Sequence, residues 1–232
     1  MIDILFHDEV LVAVNKPSGL LVHKSWVAKD AKEFALQTVR DQIGCHVYPI
    51  HRLDRPTSGV LLFAKNPDTA TLCAQAWPQA NKTYWAIVRG YFPAEVFVDH
   101  PLKTLADYGE QGEAQDAQTA FRCLQQFCLP IPVDKYPEAR YSLVEAKPLQ
   151  GRTHQIRRHL KHLSHPIIGD PRYGKSVHNH FFTEHLGSQR LLLHARELHI
   201  QHPHSGADLI ISAPLDSAMQ HIFERFNWPA TQ

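Results

Sequence analysis

The continuous apolar run at residues 59–65, "GVLLFAK", constrains the fold more than any other segment. A strand with apolar side chains on both faces has to be covered on both faces, so this run predicts a buried strand in the middle of a sheet. Directly before it stands "HRLDRPTS", where Arg52 and Arg55 flank Asp54. Proline and small polar residues indicate a tight turn, so a charged cluster is predicted on a loop at the end of a buried strand.

The remaining patterns predict more strands than helices. Alternating or β-branched segments separated by turn residues predict strands at 4–19, 47–50, 82–90, 117–127, 139–148, 189–203 and 207–214. Helical spacing and capping signals predict helices at 31–44, from Asn66-Pro67 onward, at 151–166 with Thr153 as N-cap, and at 215–226. Residues 93–117 are polar and acidic and are predicted to be a long excursion.

Many neighbouring strands are predicted to be antiparallel, and no change of composition divides the chain. We therefore predict an α+β fold in a single domain covering residues 1–232. No apolar stretch approaches the length of about 20 residues needed to span a bilayer, and the N-terminus lacks the features of a signal peptide. The four irregularly spaced cysteines are therefore interpreted as reduced thiols of a cytoplasmic protein.

The formal charge of +1 hides a strong asymmetry along the chain. Residues 95–139 carry eight acids against three lysines and arginines, whereas residues 140–175 carry eight lysines and arginines against two acids. Four histidines add to the second segment. A polyanion responds to such a local basic stripe and not to the total charge, although a solvated helix face would have the same composition.

Three positions combine reactive chemistry with a defined local structure. Asp54 lies on a loop supported by a sheet, where two arginines favour its charged form, but a structural pair that fixes the turn has the same pattern. Arg157 and Arg158 are about 100° apart on the predicted helix, so one can face inward while the other faces solvent. Tyr84 is a polar-tipped aromatic in an apolar strand, suited either to a core hydrogen bond or to stacking on a base.

The sequence argues against other chemistries. Histidines at 154, 159 and 162 have no carboxylate or cysteine at ligand spacing, and Cys123 and Cys128 have no matching pair. There is no glycine-rich phosphate loop, and Ser58 lies in no nucleophile-elbow pattern. We therefore expect no metal site from these residues.

The ordered motifs of the chain resemble those of the RluA-type pseudouridine synthases. "HRLDRPTSGVLLFAK" resembles the family signature, and "VNKPSGLLVH", "KTYWAIVRG", "GRTHQIRRHLKHLSHPIIGDPRYG" and "RLLLHARELHIQHP" follow the family's order from about residue 3 to 215. The resemblance implies a mixed, largely antiparallel sheet flanked by helices, with a central active-site cleft and no cofactor. It also implies that the N-terminal S4 RNA-binding module of many relatives is absent, because the catalytic pattern begins almost at Met1.

The resemblance assigns roles to four residues. Asp54 matches the essential aspartate, which attacks the flipped uridine. Arg52 matches the arginine that helps to displace the target nucleotide. Tyr84 matches the tyrosine that stacks on the target base, and Arg157 matches the basic residue that forms an ion pair with the aspartate.

The motifs are most similar to the branch of the family that modifies uridine 65 of tRNA. The features that carry this similarity are "KSW", "TVRDQIG", "RRHLKHLSHPIIGD" and an insertion ending in "EHLGSQRLLLHA". We expect a monomeric, cytoplasmic isomerase with tRNA as partner and no membrane association. The alternatives are a pseudouridine synthase for a ribosomal RNA uridine and a non-catalytic RNA-binding module that uses the basic stripe.

Overall fold

The computed structural model describes residues 1–23, 33–105 and 111–229. The chain divides into two compact units, each assembled from two segments. The first unit contains residues 1–82 and 194–216, and the second contains residues 83–193 and 217–232. The strands are β1 Asp3–His7, β2 Leu11–Lys16, β3 Tyr48–Pro49, β4 Ser58–Ala64, β5 Asn81–Arg89, β6 Glu95–Asp99, β7 Leu102–Leu105, β8 Gln111–Gln115, β9 Gln118–Leu129, β10 Ala139–Pro148, β11 Leu193–Gln201 and β12 Asp208–Ser212. The helices are α1 Ala35–Ile43, α2 Pro67–Ala76, a short 3₁₀ turn Trp77–Gln79, α3 Gln155–His162, α4 Ser176–Leu186 and α5 Ser217–Arg225.

The first unit is built around β4, as the apolar run predicts. All seven residues of β4 are buried. This strand pairs antiparallel with β2 and β3 and parallel with β11, so the sheet of this unit is mixed. β1 extends the sheet beyond β2, and β12 pairs antiparallel with β11. The loop that contains Asp54 therefore leads directly into the most deeply buried strand.

The second unit contains an antiparallel sheet in the order β5-β10-β9-β6. The expected pairing of segments 117–127 and 139–148 is confirmed by the long β9/β10 ladder. The prediction of a long excursion over residues 93–117 is wrong in part, because β6 pairs with β9, and β7 pairs with β8. The polar composition reflects solvent exposure, since Glu95, Phe97 and Asp99 of β6 are exposed whereas Val98 is buried.

The helix ends follow local sequence signals in two of the predicted cases. α1 ends at Gly44, whose φ of 72° is the left-handed conformation that glycine adopts readily. The N-terminal part of that prediction, residues 31 and 32, lies outside the described residues. α2 begins after Asn66, whose side chain accepts a hydrogen bond from the Thr69 amide.

The other two helix findings differ from the predictions. The prediction of Thr153 as the cap of α3 is wrong, because the N-cap residue is His154, with φ of 56°. The side-chain oxygen of Gln155 instead accepts a hydrogen bond from the Arg152 amide at 3.0 Å. α4, which spans Ser176–Leu186, was not predicted.

The strands outnumber the helices and most strand pairs are antiparallel, so the predicted α+β class with a mixed, largely antiparallel sheet is confirmed. Within the described residues, none of the helices has the length and apolar character needed to cross a membrane.

Candidate active site

The four residues singled out in the sequence are divided between the two units. Arg52 and Asp54 belong to the first unit, and Tyr84 and Arg157 belong to the second. Arg52 is exposed, whereas Asp54 and Tyr84 are half-buried. Arg157 is buried, with 4% of its surface exposed.

Asp54 begins the tight turn that the sequence predicts. Its backbone carbonyl accepts a hydrogen bond from the Thr57 amide at 2.9 Å, which closes a four-residue turn around Arg55 and Pro56. Leu53 is buried next to it and anchors the start of the turn. The aspartate is thus presented on a short, constrained loop between a buried leucine and a buried strand.

A buried lysine fixes this turn to the "KPSG" segment. Lys16 has no exposed surface, and its ammonium group donates to the carbonyl oxygens of Pro17, Leu20 and Arg55 at 2.9, 2.9 and 3.2 Å. The Gly19 amide donates to the Arg55 carbonyl at 2.8 Å, and the Ser18 hydroxyl donates to the Pro56 carbonyl at 2.7 Å. Hydrogen bonds to a charged group are stronger than neutral ones, so Lys16 rigidifies the loop that carries Asp54.

His51 fixes the other end of the loop. Its ring stacks on Trp77 with 4.7 Å between centroids, and its Nε2 accepts a hydrogen bond from the Leu62 amide at 3.1 Å. Desolvation and the nearby Lys82 lower the pKa of His51 to about 3. The ring is therefore neutral near pH 7 and serves as an acceptor that connects the start of the loop to β4.

The first residues of β4 are held closely against β11. The Ser58 hydroxyl lies 2.8 Å from Nδ1 of His194, and both side chains are buried. Gly59 has φ of +110°, and a Cβ at this position would lie 2.2 Å from the Ala195 carbonyl oxygen. Only glycine allows so close an approach of the two backbones. Ser58 is thus a structural partner of His194, consistent with the absence of a nucleophile pattern around it.

Tyr84 lies on β5 opposite Ala146 of β10. Its neighbour Trp85 is buried and stacks on Phe223 of α5, with 6.0 Å between the ring centroids. Successive side chains of a strand point to opposite faces of the sheet, so Tyr84 points away from α5. Its half-buried ring lies on the face that α5 does not cover.

Arg157 and Arg158 differ in environment, as their angular separation predicts. Arg157 is buried, and its Nε and Nη2 donate to Oδ2 and Oδ1 of Asp170 at 2.8 and 3.0 Å. Arg158 is only half-buried, and its Nη1 donates to the Lys103 carbonyl at 2.9 Å. The inward-facing arginine is therefore the one that the family resemblance singles out.

Asp170 was not identified from the sequence, although it lies in the quoted segment "GDPRYG". Burial by itself raises the pKa of this carboxyl group, but the hydrogen bonds from Arg157 and from the Tyr173 and Arg172 amides outweigh burial and lower it. Asp170 is therefore a carboxylate at neutral pH, paired with Arg157. Asp170 follows Arg157 by thirteen residues, and this spacing matches no helix or strand periodicity. The sequence therefore gives no sign that the two residues pair.

A cluster of basic and histidine side chains covers the exposed end of α3. The His100 and His162 rings stack with 4.3 Å between centroids. Arg158, one turn before His162 on α3, donates to the Lys103 carbonyl. Lys161, one turn after Arg157, adds a further charge. Within the described parts of the chain, no carboxylate forms an ion pair with Arg158 or Lys161. The cluster suits an anionic partner such as a phosphate backbone.

The candidate residues supply three kinds of functional group: a carboxylate, guanidinium groups and an aromatic ring. Across residues 1–23, 33–105 and 111–229, no group of three or more histidine, cysteine or acidic side chains is arranged to hold a metal ion. All four cysteines are free thiols. A carboxylate on a rigid loop, such as that of Asp54, can act as a nucleophile or as a base.

Comparison with known proteins agrees with these features. A family model described as RNA pseudouridylate synthase matches residues 10–162. Two proteins named tRNA pseudouridine synthase C, from Vibrio vulnificus and Vibrio cholerae, are 47% and 48% identical to this chain; the matches cover 100% and 98% of this chain and 98% and 97% of the relatives. The structure of human RNA Pseudouridylate Synthase Domain Containing 4 has a TM-score of 0.72 and 27% identity, covering 97% of this chain and 93% of the human chain. The chain belongs to the RNA pseudouridylate synthase family.

Proposed function

We propose that this protein isomerises a uridine in tRNA to pseudouridine, and that the target is uridine 65. The observation that carries the proposal is the full-length similarity, at 47–48% identity, to proteins named tRNA pseudouridine synthase C. The position of Asp54 on a rigid loop supports it from the structure. We also propose that residues 1–232 act as one catalytic domain in the cytoplasm, as a monomer and without a metal or cofactor.

The reaction breaks the bond between C1′ of the ribose and N1 of uracil and forms a bond between C1′ and C5. The C5 proton is released and N1 gains a proton, so the composition of the nucleoside does not change. The base has to remain bound while it turns, and holding it beside the ribose supplies the necessary proximity. One carboxylate can serve this reaction, either by adding to the base or by acting at the ribose.

The proposed roles follow the family pattern at four positions. Asp54 is the reacting carboxylate, and Arg52 helps to displace the target nucleotide from its stack, a step that costs a few kcal/mol. Tyr84 stacks on the displaced base. Arg157 supplies positive charge to the reacting carboxylate. Arg52 is exposed, so it can reach a nucleotide. Tyr84 points away from α5, so that helix does not cover its ring. Both observations support these assignments.

The test of the chemistry is tritium release from tRNA labelled at C5 of uridine. We expect release by the wild type and a loss of at least 1,000-fold for Asp54→Asn. A matched control is Asp41→Asn, which removes the same charge from an exposed ion pair with Arg40 in the same unit. Wild-type activity in Asp54→Asn would remove Asp54 from the mechanism.

The test of the substrate compares two RNAs. Purified wild-type protein is incubated with an unmodified tRNA transcript and with ribosomal RNA, and pseudouridine is mapped at single-nucleotide resolution. We expect formation at position 65 of tRNA. Formation only in ribosomal RNA would replace the proposed substrate, and salt-sensitive binding with no isomerisation of either RNA would indicate a binding module.

A further inference from the structure

Arg157 is held along one edge by a buried carboxylate on its own unit. Nε and Nη2 of the guanidinium donate to the two oxygens of Asp170 at 2.8 and 3.0 Å. The arginine and aspartate side chains are 5% and 0% exposed. Because the guanidinium is planar, fixing one edge with two parallel hydrogen bonds also fixes the direction in which the opposite edge points.

Asp170 is itself fixed by the loop in which it lies. Its Oδ1 also accepts hydrogen bonds from the Arg172 and Tyr173 amides at 2.9 and 3.0 Å. Its backbone carbonyl accepts from the Gly174 amide at 3.1 Å. The carboxylate is therefore held in one orientation by the chain that follows it.

Asn179 of α4 clamps both sides of this loop. Its Oδ1 accepts a hydrogen bond from the Gly169 amide at 2.8 Å, and its Nδ2 donates to the Asp170 carbonyl at 3.0 Å. A single side chain thus ties the backbone before and after the Cα of Asp170 to a helix. This gives a role to α4, the helix that the sequence patterns did not predict.

The face of the guanidinium is supported as well. Cζ of Arg157 lies 5.2 Å from the centroid of the Tyr173 ring, a distance suited to a cation–π contact. The Tyr173 hydroxyl lies 3.1 Å from Nδ1 of His154, the residue at the N-terminus of α3. Asp170 therefore fixes the edge of the guanidinium and Tyr173 supports its face. Neither residue is among the four to which the family pattern assigns a role.

We propose that Asp170, clamped by Asn179, is a positioning residue that orients the Arg157 guanidinium for the isomerisation. The inference rests on the proposed function, because it assumes that Arg157 acts at the reacting carboxylate. A buried ion pair is a poor source of stability compared with well-packed apolar residues of similar volume. The extensive network around Arg157 is therefore better explained by a need to orient its guanidinium than by a gain in stability.

The test measures single-site variants with 5-tritiated tRNA under steady-state conditions. Asp170→Asn keeps the shape of the side chain and removes its charge. We expect its kcat to fall about 10- to 100-fold while KM stays within about twofold, because a misdirected group weakens the transition state more than the binding of a large RNA. The matched control is Asp134→Asn, the same change in an exposed ion pair with Lys175 of the same unit, and it should keep wild-type kcat.

A double-mutant cycle distinguishes orientation from general structural support. If Asp170 acts through Arg157, Asp170→Asn lowers kcat in the wild type but causes no further loss in an Arg157→Gln background. Equal losses in both backgrounds would overturn the inference. Circular dichroism and thermal melting establish that each variant is folded at the assay temperature.

A second variant and a spectroscopic signal cover the case in which Asp170→Asn does not fold. Asn179→Ala leaves both members of the ion pair in place and should lower kcat about 3- to 10-fold. In the wild type, the Arg157 Nε–H signal of the ¹⁵N-labelled protein should be slow to exchange with water, and Asn179→Ala should make its exchange faster. Unchanged kcat and exchange in Asn179→Ala would overturn the inference.

The outcomes separate this inference from the proposed function. An inactive wild type on both tRNA and ribosomal RNA would overturn the proposed function and this inference with it. Full activity of Arg157→Gln would remove the role of Arg157 and therefore that of Asp170. A weakened Arg157→Gln with a fully active, folded Asp170→Asn would overturn this inference alone.

Discussion

Gly59 shows how a single residue connects the buried core with the Asp54 loop. The backbone at this position has φ of +110° and lies against the backbone of Ala195. Lys16 and His51 add polar contacts that fix the same loop from two directions. The position of Asp54 therefore depends on residues that take no part in the proposed chemistry.

Gly59→Ala should destabilise the first unit strongly. The added Cβ would lie 2.2 Å from the Ala195 carbonyl oxygen, in a backbone conformation that alanine rarely adopts, and the combined cost is about 2–5 kcal/mol. Urea denaturation measures the change. Gly151→Ala is the control, because a Cβ there meets no atom within 4 Å. Equal stability of both variants would contradict the close approach of β4 and β11.

Tyr84→Leu should weaken tRNA binding more than Tyr84→Phe does. An aromatic ring that stacks on a base contributes about 1–3 kcal/mol, which corresponds to roughly a 5- to 150-fold change in Kd. Phenylalanine keeps the ring, so its Kd should stay within about threefold of the wild type. Filter binding at fixed salt measures both variants, and indistinguishable affinities would exclude stacking by residue 84.

At the scale of elements, the sequence patterns predicted the buried strands β4, β5, β9 and β10 but missed strands β6, β7 and β8 and helix α4. Continuous apolar runs and β-branched alternation identify β4, β5, β9 and β10 because burial demands those residues. β6 is polar and largely exposed, so its strand structure comes from pairing with β9 and leaves little trace in composition. α4 begins after Lys175, whose side chain makes no capping hydrogen bond, so it lacks a start signal.

The residues of the candidate site also fall into two groups: those that the sequence motifs predict and those that only the structure reveals. The ordered motifs predict site roles for Asp54, Arg52, Tyr84 and Arg157, and helix geometry predicts that only one of Arg157 and Arg158 can face inward. Asp170 and Asn179 were not identified, because they act through tertiary hydrogen bonds between segments that have no fixed spacing. Lys16 lies in a quoted motif, but only the structure shows that its ammonium group holds the Asp54 loop.

The exposed end of α3 should contribute to RNA binding through its charge. Replacing Arg158 and Lys161 together with glutamine should lower the slope of log Kd against log salt by about 1–2, since each phosphate contact contributes roughly 0.7–0.9. Arg40→Gln on α1 is the control, because Asp41 already pairs with that arginine. An unchanged slope in the double variant would exclude this surface of α3 from the RNA interface.

At the scale of the whole molecule, several histidines are kept neutral inside the protein. Desolvation lowers the pKa of His178 to about 4 and, with the charge of Lys82, that of His51 to about 3. Desolvation also lowers the pKa of His159, which lies 2.9 Å from the Thr119 hydroxyl. Both units therefore contain imidazoles that resist protonation in the folded state.

The protein should lose stability as the pH falls below 6.5. An unfolded histidine takes up a proton near pH 6.5, whereas folded His51 and His178 do so only near pH 3 and 4, so the unfolded state binds more protons in between. We expect the free energy of unfolding to fall by about 2–4 kcal/mol between pH 7 and 5. Urea denaturation across this range measures it. A flat profile would contradict the neutral state of these rings in the folded protein.

The most direct measurement is pseudouridine mapping of tRNA in cells that lack this gene, complemented with the wild-type gene or with the Asp54→Asn variant. The account predicts that pseudouridine at position 65 disappears on deletion, returns with the wild type and stays absent with Asp54→Asn. Pseudouridine that persists at position 65 after deletion, or that returns with the asparagine variant, would contradict it.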